Sequence, residues 1–250
     1  MRRNAMLPSA IVVGVGAEQG LGAALCRRFA REEFHVHVCG RTPAKVEAVV
    51  QAIRAKGGSA DAVVLDATCE EDVVRLFARA FEPKPDVQPP SVVAFNAGNN
   101  AVIPLAQTSA RQFEDFWRVG CFAGFLVARE AARHLVPLKR GTVLFTGASG
   151  SLRGKAGFAH FAAAKAGLRM LSQSMARELG PQGIHVAHVV IDGGIEGERL
   201  LKLMPQLAQA RGEHGLLNID AIAEAYWQLH LQHPSAWTQE LDLRPFKESF

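Results

Sequence analysis

The feature that most constrains this 250-residue chain is an alternation of short apolar runs with stretches of helical spacing. The candidate strands fall at 10–15, 34–39, 62–65, 92–95, 142–146, 185–191 and 240–243. Between them, helical stretches fall at 21–33, 43–56, 70–81, 110–135, 156–179 and 220–232. Most of the strands are continuously apolar rather than alternating, which is the pattern of strands covered on both faces. Strand then helix, repeated, predicts an α/β fold, a Rossmann-type doubly wound parallel sheet forming a single domain over 1–250. With 48% hydrophobic and 21% charged residues, the chain has the apolar surface such a core needs.

Two stretches fit the alternation less well. Residues 82–90, rich in proline, read as a loop between a helix and the fourth strand rather than an interdomain linker. Residues 193–217 carry weak strand signals and a short amphipathic piece at 199–210, and they read either as a lid over a site or as a surface excursion.

Charge and cysteine content exclude several classes of function. Lys and Arg number 28 against 24 Asp and Glu, a net charge of +4 with no basic run, so neither nucleic acid nor a membrane surface is expected as partner. No apolar run approaches the ~18–20 residues that span a bilayer. Cys26, Cys39, Cys69 and Cys121 lack C-x-x-C spacing, which argues against a metal site or disulfides and for buried thiols in a reducing cytoplasm. The start, with Arg2 and Arg3 before an apolar stretch, has the outline of a secretory leader. Cleaving it would remove the first strand and its glycines, so the chain is expected to keep it.

Those glycines form the first motif. Gly14-Val15-Gly16-Ala17-Glu18-Gln19-Gly20-Leu21-Gly22 lies between the first strand and the first helix. Glycine allows a tight turn there and lets backbone N–H groups at a helix N-terminus approach a pyrophosphate. A tight turn without a ligand is the alternative. The second strand ends Cys39-Gly40-Arg41, where a dinucleotide-binding unit meets the adenosine ribose. An acid there would accept from the ribose 2′-OH of NAD(H), whereas Arg41 can pair with the 2′-phosphate of NADP(H) or stand as a solvated loop arginine.

The Gly16-x-x-x-Gly20-x-Gly22 turn, Leu65-Asp66 after the third strand, Phe95-Asn96-Ala97-Gly98 after the fourth, and Lys165 in the long helix after the fifth together resemble the short-chain dehydrogenase/reductase family over about residues 9–245. The resemblance implies a nicotinamide cofactor and often a homodimer or homotetramer built on the two long helices. It implies that Gly16, Gly20, Leu21 and Gly22 hold the pyrophosphate, that Asp66 and Ala67 lie near the adenine, and that Asn96, Ala97 and Gly98 line the cofactor. Lys165 would bind the nicotinamide ribose, and Ile195 would approach the carboxamide.

The departures bear on the chemistry. Active members of the family pair Lys with a tyrosine four residues earlier and use a serine and an asparagine; here those positions hold Phe161, Ala148 and Cys121, and the usual Pro-Gly after strand six is Asp192-Gly193. Reducing a ketone by hydride leaves an alkoxide that must be protonated, and phenylalanine has no proton to give. Losing such a group usually costs ~10²–10⁴-fold. The sole tyrosine, Tyr226, lies in a late helix far along the chain, so a borrowed phenol is not expected. Ser149 could turn inward through a one-residue loop shift; His160 should face away from Phe161 on the helix; His185 and His188 read as structural.

The resulting expectation is an NADP(H)- or NAD(H)-binding oxidoreductase acting on a small carbonyl or alcohol, with Lys165 retained and Ser149 a candidate. The alternative is a catalytically silent dinucleotide-binding sensor or interaction protein. Phe158, Ala159, Phe161, Ala162, Ala163 and Ala166 make the 156–179 helix apolar around more than one side, which independently predicts a homo-oligomer.

Overall fold

The computed structural model describes residues 6–248; Arg2 and Arg3, the charged start of the leader-like stretch, lie outside them. The strands are β1 (Leu7–Val13), β2 (His35–Gly40), β3 (Ser59–Val64), β4 (Val87–Phe95), β5 (Gly141–Thr146), β6 (Ile184–Ile191), β7 (Ile195–Glu196), β8 (Leu217–Asn218) and β9 (Glu240–Leu243). The helices are α1 (Leu21–Arg31), α2 (Pro43–Arg54), α3 (Glu70–Phe81), α4 (Ala110–Trp117), α5 (Ala123–Leu135), α6 (Ala159–Leu179), α7 (Glu198–Leu203), α8 (Pro205–Arg211) and α9 (Ile219–His230).

Seven strands form one sheet in the order β3-β2-β1-β4-β5-β6-β9, every neighbour parallel. Side chains from α1, α2 and α9 fill the core on one face, among them Leu25, Val50 and Tyr226, while α3, α5 and α6 cover the other with Phe77, Leu126 and Leu168. Two covered faces explain why the strands read as unbroken apolar runs. The order reverses between β1 and β4, and the loops at the carboxyl ends of those strands open a crevice there, where open α/β sheets take their ligands.

The prolines of 82–90 are partly inside a strand, not wholly in a loop. β4 begins at Val87 and pairs with β1 through Leu7↔Val87 and Ser9↔Pro90, with register shifts between them. On its other side β4 meets β5 only from Val92, so Pro89 and Pro90 leave no β5 bond unmade. The Ser9 hydroxyl donates to the Gln88 carbonyl at 2.7 Å and ties down the irregular stretch.

The expected long helix at 110–135 is two helices joined by a π turn at Arg118–Phe122, which contains Cys121. The second long helix starts at Ala159, not 156, because Gly157 takes φ +80° and turns the chain just before it. The amphipathic piece at 199–210 is likewise broken into α7 and α8, since Pro205 cannot continue α7. Cys26 and Cys39 are buried as expected, but Cys69 and Cys121 are only partly so: Cys69 stands at the exposed start of α3 and Cys121 lies against Gly167 at the edge of α6. Among the described residues, no helix is long and apolar enough to cross a membrane.

Candidate functional site

The crevice is built from the chain segments that leave the carboxyl ends of the strands. After β1, Gly14 adopts φ +94°, and a Cβ there would run into the Ala97 backbone. A Cβ on Gly22 would stand 2.9 Å from the Gly14 carbonyl. These two glycines are required by packing alone. Gly16 is different: a Cβ there meets nothing within 4 Å. Gly20 precedes α1 in extended backbone with no side-chain cap, so the first N–H groups of α1 have no side-chain acceptor.

After β2, a Cβ on Gly40 would collide with the Val15 carbonyl, so this backbone excludes any acid at the position. Arg41 beside it is exposed and makes no hydrogen bond or ion pair within the described residues. After β3, one Asp66 carboxylate oxygen accepts from the Thr68 N–H at 2.9 Å and its hydroxyl at 2.8 Å, holding the turn in which Ala67 is buried.

After β4, the Asn96 amide donates to the Gly14 carbonyl at 3.2 Å and accepts from the Thr146 hydroxyl at 3.1 Å. Having given its proton to Asn96, Thr146 accepts from Tyr226 at 2.7 Å. Tyr226 is thus close to the β5 loop in space although far from it in sequence. It is fully buried beneath the sheet, where desolvation pushes its phenol up despite the Thr146 bond, so it serves as a strut. Neither Thr146 nor Tyr226 is singled out by any motif; only the topology brings them together.

Lys165 is buried, its ammonium donating to the Thr146 carbonyl at 2.7 Å, and the Cβ position of Gly98 lies 3.3 Å from Nζ. Burial lowers its pKa to about 8. One turn earlier on α6, the Phe161 ring packs against Gly150, whose Cβ position lies 3.0 Å from the ring edge. Ala148 begins the short turn after β5, and Ser149, next to it, stands near enough to Asp192 to help hold its carboxyl down. Burial pushes the Asp192 carboxyl up, but bonds from Arg153 and Ser149 outweigh it and hold the group below the usual range. Arg153 grips it with two contacts of 2.9 Å and Arg244 adds a third at 2.9 Å.

His160 is buried, with Nε2 3.2 Å from the Ala101 carbonyl and its ring centroid 4.1 Å from that of Phe116. His188 lies directly under Gly147, its Nδ1 3.1 Å from Glu240, and burial pushes it down to about 4. It is neutral at pH 7 and supports the loop from below. Ile195 pairs with Leu217, and the segment that follows crosses the crevice: the Glu198 N–H donates to the Gln19 carbonyl at 2.7 Å, and Arg199 donates to the Asn100 carbonyl at 2.8 Å.

Comparison with known proteins agrees with this arrangement. The family model described as short chain dehydrogenase matches residues 10–202. The chain is 39% identical to a short-chain dehydrogenase of Rhodopseudomonas palustris of known structure, covering 98% of this chain and 100% of that one with a TM-score of 0.80. It is 32% identical over 184 residues to a short-chain dehydrogenase/reductase of Hericium erinaceus, 72% of each chain. A metagenomic short-chain oxidoreductase solved in complex with NADP shares the fold at TM-score 0.81 and 22% identity, over 98% of this chain and 100% of that one. The matched stretch runs from β1 through the glycine turn and Lys165 into α7, and the chain belongs to the short-chain dehydrogenase/reductase family.

Proposed function

We propose that the protein is an NADP(H)-binding oxidoreductase acting on a small carbonyl or alcohol, with its usual proton donor replaced. The open space at Gly16 carries the reading. Packing explains Gly14 and Gly22, but among the described residues nothing lies within 4 Å of a Cβ on Gly16, and a side chain there would occupy the space in front of the α1 N-terminus. That is the place for a pyrophosphate, with Leu21 and Gly22 offering backbone N–H groups. The solved relative in complex with NADP supports a nicotinamide dinucleotide as ligand.

When bound, the nicotinamide supplies or accepts the hydride. The chain's own residues bind and orient: Lys165 presents its ammonium beside Gly98 for the ribose hydroxyls, Asn96 holds the β1 and β4 loops together, and Ile195 closes on the carboxamide side. Residues 193–217 act as a lid, pinned at Gln19 and Asn100 on opposite banks of the crevice. Arg41, unpaired beside Gly40, favours the 2′-phosphate and hence NADP(H) over NAD(H). The silent sensor is the second reading, favoured by one observation: Phe161, Ala148 and Cys121 present no hydroxyl or amide where the family uses tyrosine, serine and asparagine. Exposed Phe113 on α4, Phe125 on α5 and Met170 on α6 support a homodimer or homotetramer formed through these helices, in a cytoplasmic setting.

Titrating the protein with NADPH and NADH by fluorescence, then screening turnover on small ketones and alcohols, tests both readings. NADPH is expected to bind more tightly. Gly16→Val, whose Cβ is unobstructed, is expected to abolish binding with an unchanged melting temperature; unchanged affinity in that variant overturns the proposed phosphate cradle.

A further inference from the structure

Away from the crevice, at the amino end of β2, three potential metal-ligating side chains converge. His35 and His37 lie two apart on β2 and so share one face of the sheet. Asp61 stands directly beside His37 on the edge strand β3, in the register His37↔Asp61. His35 Nε2 is 3.3 Å from Asp61 Oδ1, and His37 Nδ1 is 2.6 Å from the same oxygen. One donor atom from each of the three residues falls within a sphere of 4.8 Å mutual separation.

The supporting groups are also in place. Ser59, paired with His35 in the ladder, has its hydroxyl 2.8 Å from His35 Nδ1, which turns Nε2 toward Asp61. Arg79 on α3 binds the second oxygen of Asp61 at 2.8 Å and leaves Oδ1 facing the imidazoles. Metal-bound histidine and carboxylate groups are held through their outer atoms in this manner. His37 Nε2 is buried without a partner among the described residues, so no second hydrogen bond holds that ring.

We propose that His35, His37 and Asp61 bind one divalent transition cation, zinc foremost, with water completing the coordination on the solvent side. Two imidazoles and one carboxylate are ligands that suit this class of ion. Metal–ligand bonds of ~2.0–2.1 Å at tetrahedral angles place ligand atoms about 3.3 Å apart. The His35–Asp61 spacing already has that value, and the His37–Asp61 pair opens by about 0.7 Å to match it. His35 and Asp61 are partly exposed and give the ion its entry path, while His37 is buried. At about 3.3 Å per residue, His35 and Arg41 are about 20 Å apart along β2, so this site is separate from the dinucleotide crevice. The Arg79 charge opposes the cation and sets the affinity below that of an all-anionic site. The ion would fasten edge strand β3 to β2.

Chelator-treated full-length protein titrated with Co²⁺ and Zn²⁺ tests the proposal. One equivalent of Co²⁺ should give visible absorption of tetrahedral type without the near-ultraviolet band of a thiolate ligand, and Zn²⁺ should displace it. Zn²⁺ should also raise the melting temperature. His35→Gln on the rim and Asp61→Asn should each weaken binding at least ~100-fold, and Ser59→Ala should weaken it about 10-fold. His35→Gln replaces a partly exposed side chain, so its far-ultraviolet spectrum should match the parent and separate loss of metal from loss of fold. No saturable binding, a thiolate band, or equal affinity in His35→Gln overturns the site.

Discussion

The two banks of the crevice differ in what they leave unused. On the β1–β2 bank, Gly16 faces open space, the α1 N-terminus has no side-chain cap, and Arg41 has no partner among the described residues. On the β5–β6 bank, the polar groups are engaged with one another: Ser149 with Asp192, Asp192 with Arg153 and Arg244, Lys165 with the Thr146 carbonyl. Beside them, Phe161 on α6 and Ala148 after β5 carry no polar side chain. The first bank has kept groups for a phosphate-bearing ligand. The second has its polar groups tied into the scaffold, and under the proposed function it is the bank that lacks the usual proton donor.

The contrast breaks most sharply under a double substitution. Phe161→Tyr restores a phenol one helical turn from Lys165, whose ammonium favours the phenolate, and Ala148→Ser restores a donor for the developing oxyanion. Together they are expected to raise kcat/KM on a panel of small ketones with NADPH by ~10²-fold or more, with Phe161→Tyr alone giving less. High turnover by the parent protein would show that another group carries the proton. Unimproved turnover in the double variant, with normal NADPH binding, would favour the sensor.

A smaller effect isolates what the second bank has retained. Lys165 titrates at about 8 in the fold against an ordinary 10.5, because burial disfavours the ammonium. Below pH 8 both folded and unfolded chains hold the proton, and the fold carries the full cost. Between 8 and 10.5 the unfolded chain binds more protons, so this contribution makes stability rise with pH. Two and a half units correspond to about 3 kcal/mol. Urea unfolding at pH 7 and pH 10.5 should therefore show a stability difference between the parent and Lys165→Met that shifts by about that amount in the parent's favour at the higher pH. An unchanged difference would mean that Lys165 is not desolvated in solution.

The sequence revealed the two banks unequally. Period and apolarity were sufficient for the strands of the main sheet, their order along the chain and the existence of the helices, because each is decided by local pattern and by burial on both faces, but not for the helix breaks at the π turn, Gly157 and Pro205. They failed where a tertiary partner decides. Pro89 and Pro90 join β4 because β5 has not yet begun beside them, and Tyr226 reaches Thr146 across the sheet through the fold alone. Of the glycines, sequence could name Gly14, Gly16 and Gly22 but not say which ones packing demands; that needed the Ala97 backbone and the Gly14 carbonyl in place. His35 and His37 were not singled out in the sequence, because their partner Asp61 is chosen by the register of β2 on β3.

The smallest effect sharpens the first bank. Gly40 is fixed by the Val15 carbonyl, so this chain cannot place an acid at the end of β2 without moving its backbone, and a ribose 2′-OH finds no carboxylate at that position. Arg41 is the next residue, exposed and without a partner among the described residues. A charge-assisted bond to a 2′-phosphate contributes about 1.5–3 kcal/mol, reduced here by exposure to water. Arg41→Ala should therefore weaken NADPH binding by about tenfold while leaving NADH within about twofold, narrowing the ratio of the two dissociation constants. Raising the salt concentration should narrow it in the parent as well, since the pair is solvent-facing. Equal affinities for the two dinucleotides in the parent protein would remove Arg41 from the site and leave the Gly16 cradle as the only determinant on that bank.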